Sequence, residues 1–276
     1  MKNKIRKIFY GLPVNVRYAI RRIIYFPIDI IKKDDDLTPP KGMIFTGGGN
    51  YKKVGDQFFD YFLRFGDINP DSKILDIGSG IGRMAVPFTK FLSSEGKYEG
   101  FDIVKSGVDW CNNHIKKKYP NFNFKHIPLK NDLYNLSTDE KAANFVFPYE
   151  NDSFDFIFLT SVFTHMLPDD VENYLKEINR VLKKGKSCFV TFFILDEKSK
   201  SKMKNEGMKN FPFDLGNYSL MDKSVKEANV AYSKVFINDL LKDKGFEITR
   251  FIRGNWSGLS AGELNEHQDI LIVKKL

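Results

Sequence analysis

The stretch Lys73-Ile-Leu-Asp76-Ile-Gly78-Ser79-Gly80-Ile-Gly82-Arg83 limits what this chain can fold into more than any other. A short apolar run enters three glycines at alternate positions and then a helical pattern, the order of a buried strand, a tight turn and a helix amino terminus. Glycine is needed at such a turn because it accepts positive φ and carries no side chain, so backbone N–H groups and the helix end can approach a ligand closely. Asp76 stands just before the turn, where its carboxylate can accept hydrogen bonds from turn amides or from a ligand ammonium group. The next apolar run, Tyr98-Glu99-Gly100-Phe101-Asp102, ends in an acid about 20 residues further on, where a doubly wound fold presents a carboxylate to the two hydroxyls of a ribose.

A dinucleotide fingerprint needs G-x-G-x-x-G, and counting from Gly78 places Arg83 where the third glycine belongs. The spacing fits S-adenosylmethionine (SAM) better than NAD, and a NAD-dependent Rossmann oxidoreductase or epimerase stands as the weaker alternative. Beyond the turn, strands alternate with helices, which implies a mostly parallel sheet in an α/β chain. The pattern predicts strands near 73–77, 97–102, 122–127, 154–159, 186–194, 245–252 and 268–274. It predicts helices near 82–93, 107–118, 168–182 and 234–243. Residues 196–232 break this rhythm and read as an insertion that can cover the site.

Charge is distributed unevenly. Nine of the 43 basic residues but one of the 35 acids, Asp29, fall in residues 1–33, so the rest of the chain holds 34 of each and nets to zero. A nucleic-acid enzyme would concentrate basic side chains around its cleft, so no nucleic-acid partner is expected. Residues 1–40 therefore read as a basic amphipathic extension ahead of a catalytic domain at 41–276. In the extension Val16, Ile20, Ile23, Ile24 and Ile31 recur at helical spacing among Arg17, Arg21 and Arg22, and Pro27 ends or bends the helix. Two readings stand: a helix lying at an anionic membrane surface, or one packed on the domain with its arginines in water. The two cysteines, Cys111 and Cys188, suggest neither disulfide nor zinc, and no metal is implied. No apolar run reaches the ~20 residues that span a bilayer, and a cytoplasmic location follows, with peripheral contact at the inner membrane surface through residues 1–33 as an option.

Four segments together resemble the class I SAM-dependent methyltransferases, in the bacterial branch acting on small molecules, quinones or cell-surface glycans. They are Ile74–Arg83, Gly100-Phe-Asp-Ile103, Phe154-Asp-Phe-Ile-Phe-Leu-Thr-Ser-Val-Phe-Thr-His-Met166 and Tyr174-Leu-Lys-Glu-Ile-Asn-Arg-Val-Leu-Lys-Lys-Gly185. The resemblance covers roughly 41–276 and implies a doubly wound, seven-stranded sheet with an antiparallel last strand. It also implies SAM as cofactor, held by Asp76, Gly78, Ser79, Gly80, Gly82, Arg83, Asp102, Ile103 and Thr160. Related sequences show an acid soon after the third strand; here His126-Ile127-Pro128-Leu129 stands there, with Asp132 as a displaced equivalent.

The fourth strand delivers Thr160 to Met166 to the carboxyl edge of the sheet, where ligands of open α/β folds collect. His165 is the acid-base candidate, since methyl transfer needs alignment and, for a protonated acceptor, a base. The competing reading has it bonded within its own loop. Phe163 either walls the sulfonium or belongs to the core, and Trp256 either faces the acceptor or packs under the last hairpin. The expected reaction is methylation of an O or N atom on a small-molecule, glycan or lipid-linked acceptor. A non-catalytic SAM-binding module is the second reading.

Overall fold

A computed structural model of the chain describes residues 12, 14–31, 35–45, 47–203 and 209–276. The basic residues of the leader outside 14–31, namely Lys2, Lys4, Arg6, Lys7, Lys32 and Lys33, lie outside the described residues.

The apolar runs form strands for a simple reason: every second side chain meets a hydrophobic layer on each side of one sheet. Strand β1 (Lys73–Ile77) pairs in parallel with β2 (Lys97–Asp102) and with β4 (Phe154–Leu159). The seven strands run in the order β3 (Phe122–His126), β2, β1, β4, β5 (Leu182–Phe192), β11 (Asp269–Lys275), β10 (Phe246–Ile252). β11 is antiparallel to both neighbours and the other pairs are parallel, so the expected mixed, doubly wound sheet is present. Strand order reverses at β1, whose carboxyl end lies between those of β2 and β4, and this is where such sheets bind ligands.

Leu75, Ile77, Ile157 and Leu159 enter one core with Leu175, Ile178 and Val181 of helix α5 (Pro168–Val181). Ile74, Phe156, Phe158 and Phe189 enter the other, against helix α2 (Tyr51–Phe65). Many of the 26 phenylalanines gather on this second side. The fully buried Phe62 of α2 stacks on Phe158 at 4.2 Å between ring centroids and meets Phe189 edge-on at 5.1 Å.

Some elements differ from the sequence expectation. The helix expected over 82–93 is α-helical only at α3 (Ala85–Phe88); Pro87 lacks an amide proton, and three-residue turns such as Lys90 N–H to Pro87 O (3.2 Å) carry the chain onward. The helix expected over 107–118 is α4 (Lys105–Cys111), continued by a π-helical turn at Asn112–Lys116 where Trp110 stacks on His114 at 4.7 Å. Helix α1 (Val14–Ile31) continues past Pro27 instead of ending there. Residue Pro27 is exposed, as is Ile23 four positions earlier, so water can satisfy the carbonyl that the proline leaves without a partner.

The insertion is ordered where it is described. Strands β6 (Ile194–Leu195), β7 (Phe213–Asp214), β8 (Tyr218–Leu220) and β9 (Val230–Ser233) build a second, four-stranded sheet in the order β6-β9-β8-β7, and α6 (Glu197–Lys202) leads into it. Strands of two to four residues are too short to show a period, which hid them in the sequence. The chain then returns to the main sheet through helix α7 (Lys234–Asp243).

Truncating Phe62 would open a cavity where α2 meets the sheet. Phe62→Ala should cost about 3–5 kcal/mol, read as a lower urea midpoint with an unchanged slope.

Candidate functional site

The three glycines adopt the backbone the sequence demanded, with φ of +77° at Gly78, +57° at Gly80 and +78° at Gly82. Space forbids side chains there as well: a Cβ on Gly78 would lie 2.4 Å from Val162 Cγ2, and one on Gly82 would lie 2.6 Å from Ile115 Cδ1. The turn is tied to the end of β2. Amides of Gly78 and Ser79 donate to the Phe101 carbonyl at 2.9 and 3.0 Å, and that of Gly80 donates to Asp102 Oδ2 at 2.8 Å. Asp102 Oδ1 accepts from Val104 N–H at 2.7 Å, so the carboxylate also steadies the start of α4.

Asp76 is almost fully buried, and its Oδ2 accepts from the Tyr98 hydroxyl at 2.7 Å. Burial pushes its carboxyl up to about 7, against the Tyr98 bond and with help from the nearby Asp102 charge. Burial likewise lifts Asp102 to about 6, although the amides of Val104 and Gly80 oppose it. Ser79 Oγ is buried without a hydrogen-bond partner. A buried hydroxyl without a partner, on the turn that follows Asp76, suits a polar ligand that brings its own donors.

Arg83, 8% exposed, places its guanidinium over the Tyr51 ring at 5.8 Å and 3.4 Å from the Gly48 carbonyl. Tyr51 in turn donates to the Ile81 carbonyl at 2.9 Å. Gly47 to Tyr51 thus pack against the turn from outside the sheet, a contribution the sequence reading missed; the triplet Gly47-Gly48-Gly49 was its one signal. The half-buried Ile103 follows Asp102, its carbonyl 3.3 Å from His126 Nε2. Half-buried Thr160 follows β4 beside Ser161, a non-glycine residue at φ +62°. Ser161 is held by its N–H to Thr191 Oγ1 at 2.7 Å and its Oγ to Gln268 Oε1 at 3.1 Å. Such left-handed strain in a non-glycine residue gathers at ligand sites.

His165 lies further along the same loop. Its Nδ1 is 2.9 Å from the Glu227 carbonyl, which only accepts, so Nδ1 carries the proton and Nε2 keeps a lone pair. Burial lowers its pKa to about 4, so the ring is neutral across the physiological range. Glu227 comes from the insertion, and its carboxylate accepts from Asn131 Nδ2 at 3.0 Å and Asp132 N–H at 2.6 Å. Asp132 therefore anchors the insertion through its amide. Tyr134 sets its ring edge-on to His165 at 5.6 Å, and Tyr18 of α1 feels both Tyr134 and Asp102 electrostatically. Through Tyr134 and Tyr18 the surroundings of His165 come within electrostatic reach of Asp102. Glu227, Asn131, Tyr134 and Tyr18 are the partners that sequence reasoning missed, because they come from three distant segments with no shared motif.

Two candidates belong to the core. Phe163 is fully buried and stacks on Phe192 at 4.9 Å, and Trp256 is 1% exposed with its indole N–H on Asp269 Oδ2 at 2.7 Å. Among the described residues no group of three His, Cys, Asp or Glu could hold a metal.

Residues 75–190 match the family model described as a methyltransferase domain. Residues 75–190 are thus a methyltransferase domain, and the sheet that contains them has the class I fold. SAM is accordingly its cofactor, and the dinucleotide alternative falls. In sequence the chain is 28% identical over 118 residues to sterol 24-C-methyltransferase erg6 of Schizosaccharomyces pombe, a match of 43% of this chain and 27% of that protein. It thus spans about a quarter of that relative's length. In backbone it is similar to the PH0226 protein of Pyrococcus horikoshii, with a TM-score of 0.58 at 14% identity over 85% of this chain and 95% of the other. It is also similar to 1,6-didemethyltoxoflavin-N1-methyltransferase of Burkholderia thailandensis, solved with S-adenosylhomocysteine, with a TM-score of 0.50 at 14% identity over 96% and 91% of the two chains. At these identities the two structures speak for the fold.

The raised Asp76 carboxyl bears on the stability of the methyltransferase domain without ligand. Its pKa is higher folded than unfolded, so the native state holds an extra proton between about pH 4 and 7 and loses stability as pH rises through that window. Asp76→Asn removes this ionisation and keeps an acceptor for Tyr98. The melting temperature of the variant relative to wild type should therefore be more favourable at pH 8 than at pH 5; an equal difference at both would refute the shift.

Proposed function

We propose that the chain transfers a methyl group from SAM to an oxygen, or else a nitrogen, of a small-molecule, glycan or lipid-linked acceptor. One observation carries the reading: the fixed lone pair of His165 Nε2 sits at the same sheet edge as the glycine turn and the buried Asp102. The turn backbone, Asp76, Ser79 and Arg83 serve the amino-acid end of the cofactor, Asp102 its ribose hydroxyls, and Ile103 and Thr160 flank it. With SAM bound, the electrophile is its sulfonium methyl, and the acceptor atom must approach in line.

A pKa of about 4 makes His165 too weak a base to ionise a hydroxyl beforehand. Its lone pair instead orients the acceptor O–H, and takes the proton as that oxygen becomes strongly acidic on forming its bond to carbon. This favours hydroxyl acceptors, and the neutral balance of charge after Asp34 speaks against nucleic acid. The names of the two methyltransferase relatives point to a sterol and to a toxoflavin precursor, so similarity does not select an acceptor.

Titration calorimetry with SAM and with NAD tests the cofactor roles. SAM should bind and NAD should not, and Asp102→Ala should weaken SAM binding at least tenfold. Because the site must hold Asp76 and Asp102 ionised against pKa values of about 7 and 6, SAM affinity should also fall at least tenfold from pH 8 to pH 5. A preference for NAD, or an affinity that ignores both the substitution and pH, would overturn these roles. For the chemistry, His165→Ala should leave the SAM dissociation constant within about threefold while slowing transfer to an acceptor found by screening by roughly 10²–10⁴. Unchanged turnover would remove His165 from the mechanism.

A further inference from the structure

Helix α1 is amphipathic in an unexpected sense. Its polar side chains face the protein: Arg17 is 8% exposed and donates to the Leu133 carbonyl at 2.5 Å, and Tyr18 packs on Phe45 at 5.5 Å between ring centroids. Asp29 accepts from the amides of Lys41 and Gly42 at 2.6 and 3.0 Å, and Arg21 and Lys41 bracket the Tyr25 ring. These contacts fix the rotation of the helix.

Its apolar side chains face outward. Ile23 is 74% exposed, Ile24 63%, Phe26 62% and Ile30 60%. Val16, Ile23 and Ile30 recur every seven residues and Phe26 lies one turn from Ile23, so they form a continuous stripe. A helix held rigidly with large apolar side chains in water marks an interaction surface.

We propose that this outward stripe of α1 docks the enzyme on an anionic lipid surface. The charge of the chain selects this occupant. The whole +8 excess lies in residues 1–33, the stripe is bordered by the exposed Arg22, and Lys2, Lys4, Arg6, Lys7, Lys32 and Lys33 flank the helix in sequence. Isoleucine and phenylalanine fit the acyl boundary, while lysine and arginine fit headgroup phosphates. A protein partner or a second copy would explain the stripe but not the concentration of positive charge next to it in the sequence. No helix of the described residues is long and apolar enough to cross a membrane, so the contact is peripheral. The polar face of the same helix reaches Tyr18, beside Asp102 and Tyr134, so docking would present the acceptor side of the site toward the lipid surface.

Co-sedimentation with vesicles tests the proposal, using the full chain at micromolar concentration. Wild type should pellet with vesicles of phosphatidylcholine containing about a third phosphatidylglycerol, should pellet far less with pure phosphatidylcholine, and should be released by about 0.5 M salt. The double substitution Ile23→Glu and Ile24→Glu should lower partitioning at least tenfold, and Arg22→Glu should lower it severalfold. Both variants should keep the circular dichroism and SAM affinity of wild type, since the three residues face away from the site. Wild type that stays in the supernatant, or a double variant that pellets as wild type does, overturns the proposal. A dimer of the wild type in solution that the double variant abolishes would assign the stripe to a second copy and overturn it equally.

Discussion

The hydrogen bonds between the glycine turn and the end of β2 organise the cofactor half of the molecule. Gly78, Ser79 and Gly80 each donate an amide to Phe101 or Asp102, within 2.8 to 3.0 Å. Two loops that would otherwise move independently become one surface, and Asp102 cannot rotate without leaving buried amides unpaired. The arrangement needs the positive φ of the glycines and the removal of every Cβ near Val162, Ile115 and Cys111. The sequence constraint and the geometric constraint are therefore the same one.

This explains which parts were legible in the sequence. The seven sheet strands could be read because apolar residues recur in each and strands alternate with helical patterns, and the turn because its glycines serve the backbone. Asp76 and Asp102 follow from their register at strand ends. Asp132 reads in sequence as a displaced cofactor acid, and the structure adds a role for its amide, which holds Glu227. Nothing in the local sequence distinguishes a carboxylate that meets a ligand from a residue whose backbone does the binding. Phe163 and Trp256 were ambiguous for a related reason: an aromatic ring near a strand end serves core or pocket equally well, and only its neighbours, Phe192 and Asp269 here, decide.

The surroundings of His165 resist reading because they are assembled from side chains of separate segments. His165 belongs to the β4 loop, Glu227 to the insertion, Asn131 and Tyr134 to the loop after β3, and Tyr18 to α1. The insertion is pinned at its other end as well. Asp269, at the start of β11, accepts from Ile194 N–H, Gly254 N–H and the Trp256 indole, joining the second sheet to the last hairpin. A cofactor common to a whole fold can be held by backbone, which few sequences satisfy, whereas an acceptor is chosen by side chains that any loop can supply. The cofactor is thus legible from the family match over residues 75–190, while the acceptor needs experiment.

Helix α1 shows how far periodicity alone can carry an argument. Isoleucines at helical spacing gave an amphipathic helix, and both sequence-level pictures put arginines in solvent or at headgroups. The structure divides the cations: Arg17 turns inward while Arg22 stays exposed. Desolvating a guanidinium is costly unless its donors are met, and Leu133, in the loop that also carries Asn131 and Tyr134, supplies an acceptor. That inward contact obliges the opposite face, with Ile23, Phe26 and Ile30, to point away from the protein. The helix therefore couples the loop around His165 to whatever the isoleucines touch, because neither face can change partner without rotating the other.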